Sequence, residues 1–81
     1  MHIRLLLFAT CRDAVGAKEI DLDLEDGSTA GMLREELSSR YPKLQAMKNI
    51  LSLAVNAEYV GDEIVLRNGD EVALIPPVSG G

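Results

Sequence analysis

Cysteine is almost missing from this sequence, and its scarcity limits the chemistry open to the chain. Cys11 is the only cysteine among 81 residues. A single cysteine cannot form an intramolecular disulfide, nor a metal site built from several cysteines. The composition therefore predicts a protein of a reducing compartment. Because 47 % of the residues are hydrophobic, we expect one domain whose core needs no covalent staple.

Long apolar runs are also missing. The apolar stretch near the N-terminus extends only from Leu5 to Ala9, which is too short for the central region of a signal peptide or for a membrane-spanning helix. The sequence therefore predicts a cytoplasmic protein without a membrane partner.

Positive charge is scarce: 8 Lys and Arg residues stand against 13 Asp and Glu, for a formal net charge of -5. No basic stripe interrupts this balance. Nucleic-acid binding needs clustered Lys and Arg for the phosphates, so we expect no nucleic-acid partner. If electrostatics guide this chain to another protein, the surface it meets should be basic.

The hydrophobic pattern predicts a mixed α+β fold. Strands are expected over residues 3–9, 20–25, 51–56 and 71–75, with a short edge strand at Tyr59-Val60 and an irregular segment from Thr10 to Gly16. The first two strands, joined by a short connection, are expected to form an antiparallel hairpin, and Gly16 suits a turn or a helix C-cap. Ser28 or Thr29 can cap a helix that ends near Arg40, because Pro42 disfavours helical geometry in the preceding residue. One main helix across one face of a mixed sheet is the β-grasp arrangement.

The predicted helix has an apolar stripe with the spacing of one buried face. Its members are Ala30, Leu33, Leu37 and Tyr41. Polar residues between them are expected to face water; these are Arg34, Glu35, Ser38 and Arg40. The glycine in the first turn, Gly31, is expected to cost the helix about 1 kcal/mol relative to alanine.

The second face of the sheet has no covering layer in this order of elements. If Val72 and Leu74 face the helix, the open face carries four apolar residues: Leu6, Phe8, Ala73 and Ile75. Such a face is a candidate docking surface. Scattered exposed apolar residues are also ordinary on a small domain, and periodicity alone leaves both interpretations open.

Few residues suggest a catalytic or metal site. Cys11 has no histidine or second cysteine to support it, and His2 is interpreted as a surface residue. The acids Asp21, Asp23, Glu25 and Asp26 fit the wet face of a strand and its turn, without the spacing of a calcium loop. We therefore predict no metal ligand.

The C-terminal segment divides the chain into a domain at residues 1–75 and a tail at 76–81. Pro76-Pro77 cannot donate to a sheet and holds the chain extended. The tail can reach about 20 Å, far enough to enter another protein's active site. Gly80-Gly81 leaves no side chain around the carboxylate, so a narrow channel can admit it. A frayed terminus is the alternative.

The closing run at residues 69–81 reads Gly-Asp-Glu-Val-Ala-Leu-Ile-Pro-Pro-Val-Ser-Gly-Gly. It resembles the end of the small subunit of molybdopterin synthase, a ubiquitin-like sulfur-carrier family. Leu7-Phe8-Ala9, Arg12 and Val15-Gly16 are similar to the start of that family. Ala54-Val55-Asn56 is similar to its Ala-Val-Asn strand. The resemblance thus spans the chain.

The resemblance implies a chemistry at Gly81, with Gly80 beside it. A partner enzyme that uses ATP and Mg²⁺ adenylates the Gly81 carboxylate, and a sulfur donor converts it to a thiocarboxylate. The tail then enters the large subunit and gives its sulfur to a cyclic pyranopterin monophosphate, which builds the molybdopterin dithiolene. This chain is expected to bind no cofactor and to catalyse nothing alone.

The resemblance also implies partner contacts. A heterotetramer of two small and two large subunits is expected, as is the ATP-dependent activating enzyme. Phe8, Tyr59 and Ile75 correspond to positions that dock on the large subunit, and Arg12 to an arginine near that interface. The tail residues that would enter the partner are Pro76, Pro77, Val78 and Ser79.

Three other functions are compatible with the sequence. The thiamine-pathway sulfur carrier shares the fold and the Gly-Gly end, although the Pro-Pro-Val-Ser approach points away from it. A ubiquitin-like modifier would join Gly81 to lysines of other proteins. A plain interaction domain would have an inert tail.

Overall fold

The computed structural model describes residues 1–77. Strand β1 (His2–Leu7) is followed by helix α1 (Ala9–Val15), β2 (Glu19–Asp23), the main helix α2 (Ala30–Arg40), the short α3 (Pro42–Gln45) and a 3₁₀ turn at Lys48–Ile50. Strands β3 (Ser52–Val55), β4 (Glu58–Val60) and β5 (Glu71–Ile75) complete the described part. The predicted β-grasp class is confirmed, since the elements form one mixed sheet with the main helix packed on it.

The sheet order is β2-β1-β5-β3-β4. Strands β1 and β5 are parallel, and the other neighbours are antiparallel. The alternation predicted for β1 is confirmed, because Ile3, Leu5 and Leu7 are buried. The predicted orientation of β5 is confirmed as well: Val72 and Leu74 are buried against the core that includes Leu33 and Leu37 of α2.

Two expectations about the first half of the chain are wrong. Residues 10–16 were expected to be irregular, yet α1 occupies most of them and buries Cys11. Strands β1 and β2 do pair antiparallel, but a helix rather than a short turn connects them. The expected role of Gly16 is confirmed, since it caps α1 with φ +87° and its N–H donates to the Arg12 carbonyl at 2.7 Å.

The polar side of α2 is only partly as expected. Ser38 is buried, and the side chain of Arg34 is only 15 % exposed. The Arg34 guanidinium donates to the carbonyls of Lys48 and Leu51 and to Asp62 Oδ1. The prediction that these two side chains face water is wrong. For Arg34 the reason is that the segment after α3 folds back along the helix and supplies the two carbonyls that the guanidinium binds.

The start of α2 is held by the loop at residues 61–64. A helix leaves its first N–H groups without intrahelical partners. Here the N–H of Ala30 donates to Ile64 O, and that of Gly31 donates to Asp62 O, both at 2.9 Å. Thr29 is the N-cap, its side chain accepting from the N–H of Met32 at 3.2 Å. The loop and the cap therefore satisfy all three donors.

Glycine fits position 31 because Asp62 of this loop lies so close to the helix. A Cβ at this position would lie 2.9 Å from Asp62 Cβ and 3.2 Å from Asp62 O. We expect Gly31→Ala to destabilise the protein by about 1–3 kcal/mol, the usual cost of overpacking, in spite of the better helix propensity of alanine. Urea unfolding measures this change. An Ala variant as stable as the parent would show that the loop moves away without cost.

Within residues 1–77, no helix is long and apolar enough to cross a bilayer.

Candidate functional site

The open face of the sheet carries an apolar patch at the end where β5 leads into the tail. We define the apolar patch by the apolar residues that line it, beside Glu71: Leu6, Phe8, Ala54, Ala57, Tyr59, Ala73 and Ile75. Phe8 is 48 % exposed and Tyr59 is 72 % exposed. These are large values for aromatic side chains in a domain with one phenylalanine and two tyrosines.

Strand pairing explains why the patch is concave. Leu6 pairs with Ala73, Ala73 with Ala54, and Ala54 with Tyr59. This row crosses four strands, and residues directly opposite one another lie on the same face of a sheet. The two alanines in the middle are small, so the larger side chains stand up on either side. The result is a shallow apolar hollow.

Of the other residues predicted to bind a partner, some line the apolar patch and others lie elsewhere. Ile75 is the last residue of β5 and lines the patch, and Pro76 and Pro77 follow it outside regular structure. Arg12 is exposed on α1 but does not line the patch; it lies beside Asp13 and Lys18. Val78, Ser79, Gly80 and Gly81 lie outside the described residues. The partner-binding role of all of them stays a prediction.

Two motif residues have a role that the sequence did not indicate. The side chain of Asn56 donates to Asp70 Oδ1 at 3.0 Å and accepts from the N–H of Glu71 at 3.1 Å. The other carboxylate oxygen of Asp70 accepts from the N–H of Arg67 at 2.8 Å. The Ala-Val-Asn and Gly-Asp-Glu segments therefore meet, and together they fix where β5 begins. In the sequence, the only indication of this contact is that both segments belong to the pattern of the family that the chain resembles.

Cys11 is fully buried in the core. Burial raises the pKa of its thiol, because the apolar surroundings disfavour the thiolate. The thiol is therefore a poor nucleophile in the folded protein. Among residues 1–77, no group of three or more His, Cys, Asp or Glu side chains is placed to hold a metal ion.

His2 lies between two carboxylates on the open face. Its Nδ1 is 3.0 Å from Asp23 Oδ1, and its Nε2 is 3.4 Å from Asp21 Oδ1. The hydrogen bond with Asp23, with added attraction from Asp21, raises the pKa of the imidazole above its ordinary value. The charged form is thus favoured in the folded protein relative to the unfolded chain.

This arrangement predicts a small pH dependence of stability. A raised folded pKa gives a stabilisation that is present below the ordinary pKa of histidine, about 6.5, and is lost as pH rises through the folded value. We expect the stability difference between the parent and His2→Gln to be larger near pH 5.5 than near pH 9, which urea unfolding at both values measures. A difference that does not change with pH would contradict the prediction.

Comparison with known proteins places this geometry in a family. The sequence pattern described as the ThiS family matches residues 5–81, which includes the apolar patch and both terminal glycines. The chain belongs to the ThiS family. Two relatives named "Molybdopterin synthase sulfur carrier subunit" also match. The one from Arabidopsis thaliana is 37 % identical over 100 % of this chain and 84 % of its own length. The one from Dictyostelium discoideum is 40 % identical over 99 % of this chain and 96 % of its own.

Solved structures of similar fold include archaeal and bacterial proteins. The HVO 2177 protein of Haloferax volcanii has a TM-score of 0.89 and 32 % identity, covering 100 % of this chain and 87 % of its own. SAMP1 of the same organism has a TM-score of 0.82 and 25 % identity, with full coverage of both chains. A chain in the complex of subunits 1 and 2 of molybdopterin-converting factor from Helicobacter pylori has a TM-score of 0.70 and 20 % identity, also with full coverage of both; it shows the shared fold.

Membership of the ThiS family confirms the resemblance read from the sequence. The relatives carry the name that the closing run and the Ala-Val-Asn strand suggested, and their similarity extends over almost the whole chain.

Proposed function

We propose that this ThiS-family chain is a sulfur carrier and the small subunit of a molybdopterin synthase, with Gly81 as the group that carries the sulfur. The observation that supports this most is the end-to-end similarity to proteins named as molybdopterin synthase sulfur carrier subunits, at 37–40 % identity. The Gly80-Gly81 end of the sequence supplies the chemical handle.

The proposed chemistry has three steps. The Gly81 carboxylate attacks the α-phosphate of ATP on an activating enzyme, which releases pyrophosphate and leaves an acyl-adenylate. Hydrosulfide then attacks the acyl carbon and expels AMP, which leaves the thiocarboxylate and a proton. If the sulfur arrives as a persulfide, the acyl disulfide that forms is cleaved by a thiol, which ends as a disulfide with the donor. In the large subunit the thiocarboxylate sulfur attacks the cyclic pyranopterin monophosphate, forming a carbon–sulfur bond as a carbon–oxygen bond of the precursor breaks. Water then hydrolyses the acyl–sulfur bond, which leaves the sulfur on the precursor and restores the Gly81 carboxylate. Two such transfers supply the dithiolene.

The chain's own part in these steps is binding and delivery. Activation makes a carboxylate, which is a poor electrophile, into an acyl group with a good leaving group. ATP and Mg²⁺ belong to the activating enzyme, and most catalytic side chains to the large subunit. The β-grasp domain provides a rigid face, and six residues after Ile75 can extend about 20 Å into the partner. The use of ATP by the activating enzyme agrees with the cytoplasmic location expected from the sequence.

The proposed assembly is a heterotetramer of two small and two large subunits. The apolar patch fits this role, since an interface centre is usually rich in aromatic side chains and poor in charge. A protein of the same fold is found with its second subunit in the Helicobacter pylori complex. The apolar patch lies beside the start of the tail, so that one partner protein can cover the patch and also accept the tail.

Protein modification is the second candidate function, because one similar solved structure is of SAMP1, named elsewhere as a small archaeal modifier protein. Thiamine-pathway sulfur transfer is a third candidate. All three share the acyl-adenylate and differ in the next acceptor. ATP consumption therefore cannot distinguish them.

The deciding experiment is the intact mass of the chain after incubation with its activating enzyme, ATP and a sulfur source. A carrier gains only the mass of one oxygen-to-sulfur exchange, whereas a modifier gives heavier lysine conjugates. A thiol-alkylating probe applied to the folded product should label the thiocarboxylate and spare buried Cys11; Cys11→Ala is the matched control. Adding the large subunit and the cyclic precursor should then yield dithiolene. Stable lysine conjugates without mass-shifted free protein would favour the modifier.

A further inference from the structure

The open sheet face is charged beside the apolar patch, towards the start of β1. Strand β1 places His2 and Arg4 on this face, since they alternate with the buried residues of the strand. The residues opposite them across the sheet share the face. They are Asp23 beside His2, Asp21 and Glu71 on the two sides of Arg4, and Glu19 beside Leu6. We call this set of six the acidic end.

The acidic end and the apolar patch have a fixed order along the strands. Strands β1 and β5 run parallel, from Arg4 and Glu71 towards Leu6 and Ala73. The tail follows Ile75, which lies at the far end of the patch. His2 lies four residues before Leu6 on β1, a separation of about 13 Å at a rise of roughly 3.3 Å per residue. From one end to the other, the face thus presents acid, apolar surface and tail.

The charges of the acidic end are not balanced within the domain. Four carboxylates face one guanidinium and a histidine that is neutral at high pH. The Arg4 guanidinium lies 3.7 Å from Glu19 and 3.6 Å from Glu71, and all three side chains are about half exposed. Pairs this open and this long contribute little to stability. The carboxylates therefore remain available to an outside cation, and Glu71 also lines the apolar patch.

We propose that the acidic end is the orienting half of the docking surface, and that it binds Lys and Arg side chains on the large subunit. This inference rests on the proposed function, because it takes the partner to be the protein that accepts the tail. An apolar hollow alone permits several rotations of a partner. A row of carboxylates on one side of the hollow selects the rotation that directs the tail into the active site.

A second copy of this chain does not fit the acidic end. Pairing of two β2 edges would bring Glu19, Asp21 and Asp23 of one chain against the same carboxylates of the other, and like charges directly opposite destabilise a sheet. A basic partner surface is instead attracted to the acidic end, and the attraction also raises the rate of association. The charge of the whole chain, -5, acts in the same direction.

The test compares two variants with the same change of net charge. Asp21→Asn with Glu71→Gln neutralises two carboxylates of the acidic end. Glu36→Gln with Glu63→Gln neutralises two exposed acids elsewhere, one on α2 and one in the loop after β4. Stopped-flow binding to purified large subunit measures the association rate of each at low salt and at about 1 M salt, where the screening length falls to about 3 Å.

We expect the acidic-end variant to associate about tenfold more slowly than the parent at low salt, with the difference lost at high salt. The control variant should stay within about twofold. Equal slowing of both variants would mean that only net charge matters and would overturn the proposal, as would an unchanged acidic-end variant. If the parent itself fails to bind the large subunit, the proposed function falls; if it binds and transfers sulfur while the acidic-end variant associates normally, only this inference falls.

Discussion

Removal of Gly81 is expected to reduce sulfur transfer to background. The sulfur is proposed to sit on the carbonyl carbon of this residue, so deletion withdraws the reacting atom by the length of one residue, about 3.3–3.6 Å. A misplacement of 1 Å can already cost about a hundredfold in rate. Appending one residue after Gly81 should have the same effect, because the acyl carbon is then held in a peptide bond.

The measurement is dithiolene formation with the large subunit and the cyclic precursor, after treatment with the activating enzyme, ATP and a sulfur source. Urea unfolding of the deleted form serves as the control, and we expect it to match the parent because the described core ends at Leu74. Retained molybdopterin synthesis by the deleted form would remove the central claim of the proposed function.

Short-range patterns were enough to predict most of the sheet. In β1 and β5 every second residue is apolar and buried, so alternation alone identified the face that packs on α2. The bounds predicted for β5, Glu71 to Ile75, agree with the structure because a turn at Asn68-Gly69 and the prolines at 76 and 77 delimit it. Gly69 has φ +88°, a conformation that glycine adopts without strain.

The segments that the sequence did not predict depend on contacts between distant residues. Helix α1 has seven residues and no side-chain cap, and Cys11 is its only buried residue, so its periodicity is too weak to recognise. Arg34 has the polarity of a surface residue, yet it binds carbonyls 14 and 17 residues away. No pattern within α2 records that a later segment will cover it.

The candidate site also has one part that the sequence predicts and one part that depends on contacts between distant residues. Alternation predicted that Leu6, Phe8, Ala73 and Ile75 share the open face. It could not predict the hollow, since that depends on the register that sets Ala54 between Ala73 and Tyr59. The contact of Asn56 with Asp70 needs the same register, and so does the acidic end. Sequence thus gives the composition of a face, and strand pairing gives its shape.

The apolar patch leads to the second large effect, in which Phe8→Ala weakens binding to the large subunit at least about thirtyfold. Truncation of a buried aromatic anchor commonly costs about 2 kcal/mol or more, and 1.36 kcal/mol corresponds to about a factor of ten. In the free protein Phe8 is 48 % exposed, so half of its surface is still available for burial by a partner. Calorimetric titration of the large subunit measures the dissociation constant.

Ile50→Ala provides the matched control, because Ile50 is 57 % exposed but lies in the 3₁₀ turn, outside the apolar patch. Loss of its side chain should change the affinity by less than about threefold, within the range of energetically neutral positions. Both variants should unfold close to the parent, since neither side chain belongs to the core. An unchanged affinity for Phe8→Ala would mean that the aromatic ring is ordinary exposed surface, and equal losses for both would place the interface on more than this face of the sheet.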